Sequence, residues 1–248
     1  MPWRQTWDPY CIVVSEVMLQ QTQVPRVTGK YLQFIKTFPT LRSLAAAPLS
    51  DVLRAWQGLG YNRRAVLLKR FAEKIVSEHK GRIPADREIL KTLPGIGEAT
   101  SGSLCAFAFN MPVVFIETNI RSVFIHHFFQ DKEKISDKEI FPLVEKTLDR
   151  DNPREWYYAL MDYGVHLKAT LPNPGRKSRH YAKQSAFHGS DRQIRSTIVK
   201  VLLAKVRVRE ESLFPAVCTD RERLKKIIVS MFRDGLITRI QGYIRLAE

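Results

Sequence analysis

Two glutamates in this sequence stand where a charged side chain is unusual. Glu16 lies in Val13-Val14-Ser15-Glu16-Val17-Met18-Leu19, and Glu117 follows Pro112-Val113-Val114-Phe115-Ile116. Burial disfavours the ionised form of a carboxyl, so Glu16 in that setting would hold its proton toward neutral pH and act as a general acid. Glu117, if kept ionised in a dry setting, would offer negative charge to a developing cation. Each has a plainer reading: Glu16 as the solvent-facing position of an amphipathic helix, and Glu117 as a helix N-cap, where Thr118 or Asn119 would cap equally well. A third feature is Leu93-Pro94-Gly95-Ile96-Gly97, between two helical stretches. Gly95 and Gly97 remove Cβ from a turn at the positive end of the following helix, so backbone N–H groups can converge on a phosphodiester. A tight helix–helix turn with a glycine cap explains the same letters.

The elements that would position these residues are helical. Apolar residues recur at helical spacing through 12–19, 27–38, 41–44, 51–56, 65–79 and 88–93, with Pro39, Pro48 and Pro84 between them, and again through 100–109, 119–129, 137–148 and 153–163. Residues 1–170 are therefore expected to form an all-α array. Two prolines, a glycine and the basic cluster Arg176-Lys177-Ser178-Arg179-His180 then interrupt the pattern, so 171–190 reads as a basic loop or linker. Within 191–248, helices are expected at 192–205, 210–216 and 220–233, followed by a hairpin of 236–240 and 243–246 about Gln241-Gly242, which together resemble a winged helix.

Composition narrows the partners. The chain of 248 residues carries 40 Lys plus Arg against 25 Asp plus Glu, a net charge of +15, which suits a polyanion. No uncharged apolar run is long enough for a membrane span, and Met1-Pro2-Trp3-Arg4 lacks the apolar core of a signal peptide, so a soluble intracellular protein is expected. Cys11, Cys105 and Cys218 lie in apolar contexts without a CxxC pair, and read as buried thiols rather than as a disulfide or metal site.

Five motifs in order identify a family. The run Ser15-Glu16-Val17-Met18-Leu19-Gln20-Gln21-Thr22-Gln23-Val24 resembles the signature helix of the MutY adenine glycosylases, a branch of the helix-hairpin-helix DNA glycosylase superfamily. Pro2-Trp3-Arg4 precedes it, and Gly58-Leu59-Gly60-Tyr61, Leu93–Gly97 and Glu117-Thr118-Asn119-Ile120-Arg121 follow as in that family. The resemblance implies a mainly α fold of two subdomains with the active site in the cleft between them, and hydrolysis of the N-glycosidic bond of a base flipped out of double-stranded DNA. It also implies roles. Glu16 would protonate the departing base, and Glu117 with Asn119 would stabilise the sugar cation. Trp3, Arg4, Gln20, Gln21, Thr22, Leu59, Tyr61, Arg63, Gly95, Gly97 and Arg121 would contact DNA, with Gln21 and Tyr61 at the positions that fill the vacancy left by the flipped base. Asn62-Arg63-Arg64 would add phosphate partners.

The sequence also departs from the family. Glu117 stands where the superfamily has aspartate, a difference in reach of about 1.5 Å, and Ala99 stands where bifunctional relatives such as endonuclease III carry lysine. Without that amine no Schiff base forms, so strand cleavage is not expected. The stretch 165–187 contains none of the cysteines that ligate an iron–sulfur cluster in MutY, and three cysteines cannot supply four ligands, so no cofactor or metal is expected. Packing of Leu167, Leu171, Tyr181 and Phe187 is expected to hold the loop instead. Where MutY continues into its C-terminal 8-oxoguanine-reading domain, the winged-helix-like segment is expected instead, with Arg221, Arg223, Lys225, Lys226, Arg233, Arg239 and Arg245 suited either to a DNA groove or to a protein partner. The leading expectation is a monomeric, monofunctional glycosylase removing adenine opposite guanine or 8-oxoguanine. The alternatives are thymine or uracil excision from G mismatches, a catalytically weak DNA-damage or DNA-structure binding protein, and a winged-helix regulator on a borrowed glycosylase fold.

Overall fold

A computed structural model describes residues 1–217 and 220–248, so the expectation for Cys218 lies outside the described residues. After a 3₁₀ turn at Pro2–Gln5, the chain forms α1 (Pro9–Leu19), α2 (Val24–Thr37), α3 (Leu41–Ala46), α4 (Leu49–Trp56), α5 (Arg63–Glu78) and α6 (Arg87–Lys91). It continues through α7 (Glu98–Phe109), α8 (Thr118–Phe128), α9 (Asp137–Thr147) and α10 (Pro153–Thr170). The expected helices are present, and the last runs seven residues past Tyr163, because nothing in Gly164–Thr170 breaks it before the proline at 172.

α1 and α7 form the centre. Asp8 caps α1 by accepting the N–H of Tyr10, Pro9 supplies a preset φ at its first turn, and Tyr10, Ile12, Val13, Val14, Ser15, Val17 and Met18 are buried. The helix is thus enclosed on most sides, and the amphipathic surface reading of Glu16 does not apply. α7 is buried from Ser101 to Ala108 and packs against α1. Gly102 makes that interior close-packed: a Cβ there would lie 2.4 Å from the Cβ of Phe115, which leads into α8.

The loop 171–190 is pinned differently from the expectation. Leu167 is buried, but Leu171, Tyr181 and Phe187 are 42%, 44% and 50% exposed and hold little. Backbone hydrogen bonds do the pinning: Ile135 N–H donates to Lys177 O (3.0 Å) and Arg179 N–H to Ile135 O (2.9 Å). Pro174 and Gly175, buried in a 3₁₀ turn at Pro174–Lys177, pack on α8.

The C-terminal segment comprises α11 (Asp191–Lys205), β1 (Arg207–Arg209), a 3₁₀ turn with α12 (Phe214–Val217), α13 (Arg221–Arg233), β2 (Ile237–Ile240) and β3 (Tyr243–Leu246). The sequence reading missed β1, whose three residues are too short to show alternation. It pairs antiparallel with β3, Val208 opposite Ile244, giving the sheet order β1-β3-β2 and completing a winged-helix-like arrangement. The segment rests on the helical array: Arg63 pairs with Asp234 (3.0 Å), and Arg70 lies so close to Gly235 that a Cβ there would clash with its guanidinium. Among the described residues no helix is long and apolar enough to cross a membrane.

Candidate active site and nucleic-acid interface

The N-terminal turn, the end of α1, the first turns of α7 and α8, and α10 enclose a pocket of about 610 Å³. Glu16 and Glu117 both line it, with Trp3, Arg4, Ala99, Ser103, Asn119 and Tyr158 among their neighbours. The two carboxyls lie close enough to repel each other electrostatically. Desolvation pushes the Glu16 carboxyl up to about 7, opposed by a hydrogen bond from Ser103 and reinforced by the charge of Glu117.

Glu117 is both a helix N-cap and a pocket-lining residue. It is the N-cap of α8, in place of Thr118 or Asn119: its Oε1 accepts from the N–H groups of Asn119 (2.5 Å) and Ile120 (2.9 Å). Its Oε2 accepts from Asn119 Nδ2 at 3.4 Å, and the residue still borders the pocket. Burial raises this carboxyl, while the capped N–H groups, Lys168 and Arg121 pull it down. Lys168 escaped the sequence reading. Its Nζ donates to Asn119 Oδ1 (2.8 Å) and to Thr118 O (3.4 Å) from the last turn of α10, and no local motif marks it.

Several expected DNA contacts are committed to other partners. Trp3 is buried edge-on against Tyr31, and Thr22 is buried with its hydroxyl accepting from Arg64, so both meet only what enters the pocket. Leu59 is 2% exposed and therefore shapes the turn without presenting its side chain. Arg4 donates both Nη atoms to Asp162 (2.7 and 2.8 Å) while stacked over Tyr158. Arg121 binds Asp137 through Nε and Nη2 (2.7 and 2.8 Å). Gln20 Nε2 donates to Thr100 Oγ1 at the pocket edge.

Arg64 reverses its expectation as a phosphate partner most completely. It is 7% exposed, donates from Nη1 to the carbonyls of Val17, Met18 and Gln20 (2.8, 2.8 and 2.6 Å), and donates from Nη2 to Thr22 Oγ1 and the carbonyls of Leu59 and Gly60 (3.0, 3.3 and 3.2 Å). It closes the C-terminal end of α1 and ties it to the Gly58–Tyr61 turn, where unpaired carbonyls would otherwise remain. Desolvation lowers its guanidinium to about 10.

Gln21 and Tyr61 stay at the surface, side by side along one groove, both with left-handed backbone (φ 56° and 48°). The Tyr61 ring lies between the guanidiniums of Arg64 (5.4 Å) and Arg192 (5.2 Å), and its hydroxyl accepts from Arg192 Nη1 (2.9 Å) and pairs with Gln184. The 93–97 hairpin has buried Leu93 and Ile96, Gly95 at φ +80° against Leu67, and Gly97 as the N-cap of α7 with no side chain across the helix start. That leaves the positive end of α7 without an internal cap, as an anion site requires.

A family profile for the HhH-GPD superfamily of base excision DNA repair proteins matches residues 14–149. The adenine DNA glycosylase of Mycobacterium tuberculosis is 32% identical over 260 residues, covering 96% of this chain and 86% of the relative. The thymine/uracil-DNA glycosylase of Pyrobaculum aerophilum is 30% identical over 170 residues, covering 66% and 74%. Two solved structures share the fold: a thermostable thymine-DNA glycosylase (TM-score 0.61, 24% identity, 72% of this chain and 82% of that one) and a trapped endonuclease III–DNA covalent intermediate (TM-score 0.51, 21% identity, 64% and 73%). With the signature helix, the hairpin and the carboxylate pocket assembled as described, the chain belongs to the helix-hairpin-helix superfamily of base excision DNA repair proteins and is a DNA glycosylase.

Proposed function

We propose that this glycosylase hydrolyses the N-glycosidic bond of adenine mispaired with guanine or 8-oxoguanine in duplex DNA, acting as a monomer, and stops at the abasic site. The observation that carries the reading is one pocket bordered by two unlike carboxyls, Glu16 pushed up to about 7 and Glu117 tied to a helix N-terminus. Adenine is a poor anionic leaving group. Glu16 gives its proton to a ring nitrogen, the C1′–N electron pair departs with the base, and the negative charge of Glu117 stabilises the sugar cation until water adds to C1′ and releases a proton. Arg4 lines the same pocket and bears on Glu16, opposing the rise in its affinity for a proton.

Ala99 lines the pocket where bifunctional relatives place an amine, which supports base release without strand cleavage. An iron–sulfur cluster does not fit this chain: the sequence has three cysteines for four ligand positions, and the loop 171–190 has none. Gln21, Tyr61, Arg63, Gly95 and Gly97 form the duplex-facing set, and Tyr61 or Gln21 fills the vacancy of the flipped base. The similarity to a thymine/uracil-DNA glycosylase, together with the small side chain of Ala99, favours excision of thymine or uracil opposite guanine as the second reading.

End-labelled duplexes carrying A:G, A:8-oxoguanine, T:G, U:G and matched pairs, each scored with and without hot alkali, test the proposal. Breaks at adenine that need alkali are expected. Breaks only at thymine or uracil would install the second reading, breaks without alkali would restore lyase activity, and binding without any breaks would make the protein a damage binder.

A further inference from the structure

Behind the pocket-lining Asn119 stands one group whose geometry no motif explains. α8 and α10 approach closely because residue 164 is glycine: a Cβ there would lie 2.6 Å from the carbonyl oxygen of Asn119 and 2.7 Å from its Cβ. Lys168, one helical turn later on the same face, is thereby brought level with Asn119. Its amine is half-buried and donates to Asn119 Oδ1 (2.8 Å) and Thr118 O (3.4 Å). A lysine ammonium has donors only, so the amide oxygen of Asn119 must face it. The amide nitrogen is then left on the other side, where it donates to Glu117 Oε2 (3.4 Å).

We propose that Lys168 is a positioning residue of this glycosylase, whose amine fixes the orientation of the Asn119 amide and so keeps a hydrogen-bond donor and a positive charge beside Glu117. The role rests on the reading of Glu117 as the cation-stabilising carboxylate. Without Lys168 the amide is free to rotate by half a turn, which sets its oxygen against a carboxylate oxygen. The other charged groups facing Glu117 do not replace the lysine. Arg121, on the same helix, is bound to Asp137; Glu16 of α1 adds like charge when ionised; and Arg4, in the same pocket, is bound to Asp162. Desolvation lowers the Lys168 ammonium while Glu117 supports it, the reciprocal of the stabilisation that Lys168 gives Glu117.

The experiment compares the wild type with Lys168→Met, Lys168→Gln and Lys168→Arg by two readouts: carboxyl ¹³C NMR titration of Glu117, assigned with Glu117→Gln, and the pH profile of single-turnover excision. In Lys168→Met the ionised form of Glu117 loses a cation and a donor. Its titration should move up by about half a unit or more, roughly a threefold change in proton affinity. The acidic limb of the rate profile should move with it, and the alkaline limb, which belongs to Glu16, should stay in place. Lys168→Arg should restore both. Lys168→Gln, which keeps a donor and folds without burying an apolar chain end at the site, should fall between. A Glu117 titration that stays put in Met and Gln variants would overturn the proposal, as would a rate lowered evenly at every pH. The NMR readout needs no turnover, so absence of excision in the wild type would sink the proposed function while still deciding the part played by Lys168.

Discussion

In the pocket below α8 two carboxyls meet apolar walls and a small set of fixed cations, whereas the surface around Tyr61 gathers arginines from α5 and α11 and a loop from 171–190. The first region changes what a group is: desolvation gives Glu16 a proton near neutral pH and gives Glu117 a need for donors. The second region uses its side chains as anchors, with Arg192 stacked on Tyr61 and Arg63 paired with Asp234. Buried charge is expensive and specific, so each residue in the pocket should matter singly. Exposed charge is cheap and screened, so residues on the surface should act by small, salt-dependent increments.

The sharpest way to break this contrast is Glu16→Gln. The amide keeps the shape but cannot donate the required proton, so single-turnover excision should fall by about 10²–10⁴-fold while duplex binding stays within a few fold. Excision near the wild-type rate would remove Glu16 as the acid. The same variant reports on stability with a defined sign. Because the folded carboxyl sits near 7, above its ordinary 4.5, the folded state holds the extra proton between those values. The native protein therefore loses stability as pH rises from about 4.5 to 7, with a ceiling of roughly 3 kcal/mol. Glu16→Gln should raise Tm relative to wild type at pH 8 and change it little at pH 4.5, and a Tm difference independent of pH would contradict the burial argument.

Removing the buried cation of Arg64 should come next in size, but in stability rather than chemistry. Arg64→Leu leaves the last carbonyls of α1 without donors and should lower unfolding free energy by about 3–5 kcal/mol in urea melts. A loss below about 1 kcal/mol would mean that water replaces the guanidinium readily, and that the turn holding Tyr61 is less tied to α1 than its hydrogen bonds indicate.

Glu117 sharpens the comparison from inside the pocket. Glu117→Gln keeps the cap but discards the charge, and most turnover should disappear. With Glu117→Asp, a side chain shortened by one methylene retreats by about 1.5 Å, and misplacement of that order can cost about a hundredfold. Aspartate that instead raises adenine excision tenfold or more would mark the natural glutamate as a retuned site. No effect from either change would reduce Glu117 to its capping role and sink the two-carboxylate mechanism.

The smallest expected effect belongs to the surface. Arg26 is exposed and lines the groove beside Gln21 and Tyr61. Arg26→Ala should weaken binding about equally for matched and mismatched duplexes and reduce the slope of log K against log salt by about one. A selective loss for one mispair would mean that this residue reads sequence, and the division between pocket and surface would fail there.

Much of this molecule is legible without coordinates. Helical periodicity located α1 to α9 within a few residues and α10 up to its last seven, since each buries a stripe that recurs at the helical period. The ordered motifs marked Glu16, Glu117 and Asn119, which do meet at one pocket. Charge pairing was not legible. Arg63 and Arg64 are adjacent and identical in type, yet one is 61% exposed by side chain and the other is sealed beneath the turn. Arg121 similarly reads as a phosphate contact until Asp137, sixteen residues away, is seen to bind it. β1 was invisible because three residues carry no period, and its strand character comes from the partner at Tyr243–Leu246.

The sequence by itself therefore determined the helical architecture, the family and the candidate carboxyls, because these depend on local periodicity, turn chemistry and ordered motifs. Only the tertiary structure decided that both carboxyls are desolvated at one pocket, which arginines remain available to a duplex, and that Lys168 stands beside Asn119. Those outcomes depend on approach distances between segments far apart in the chain, such as the contact of Gly164 with Asn119, and electrostatic energies change steeply over those distances.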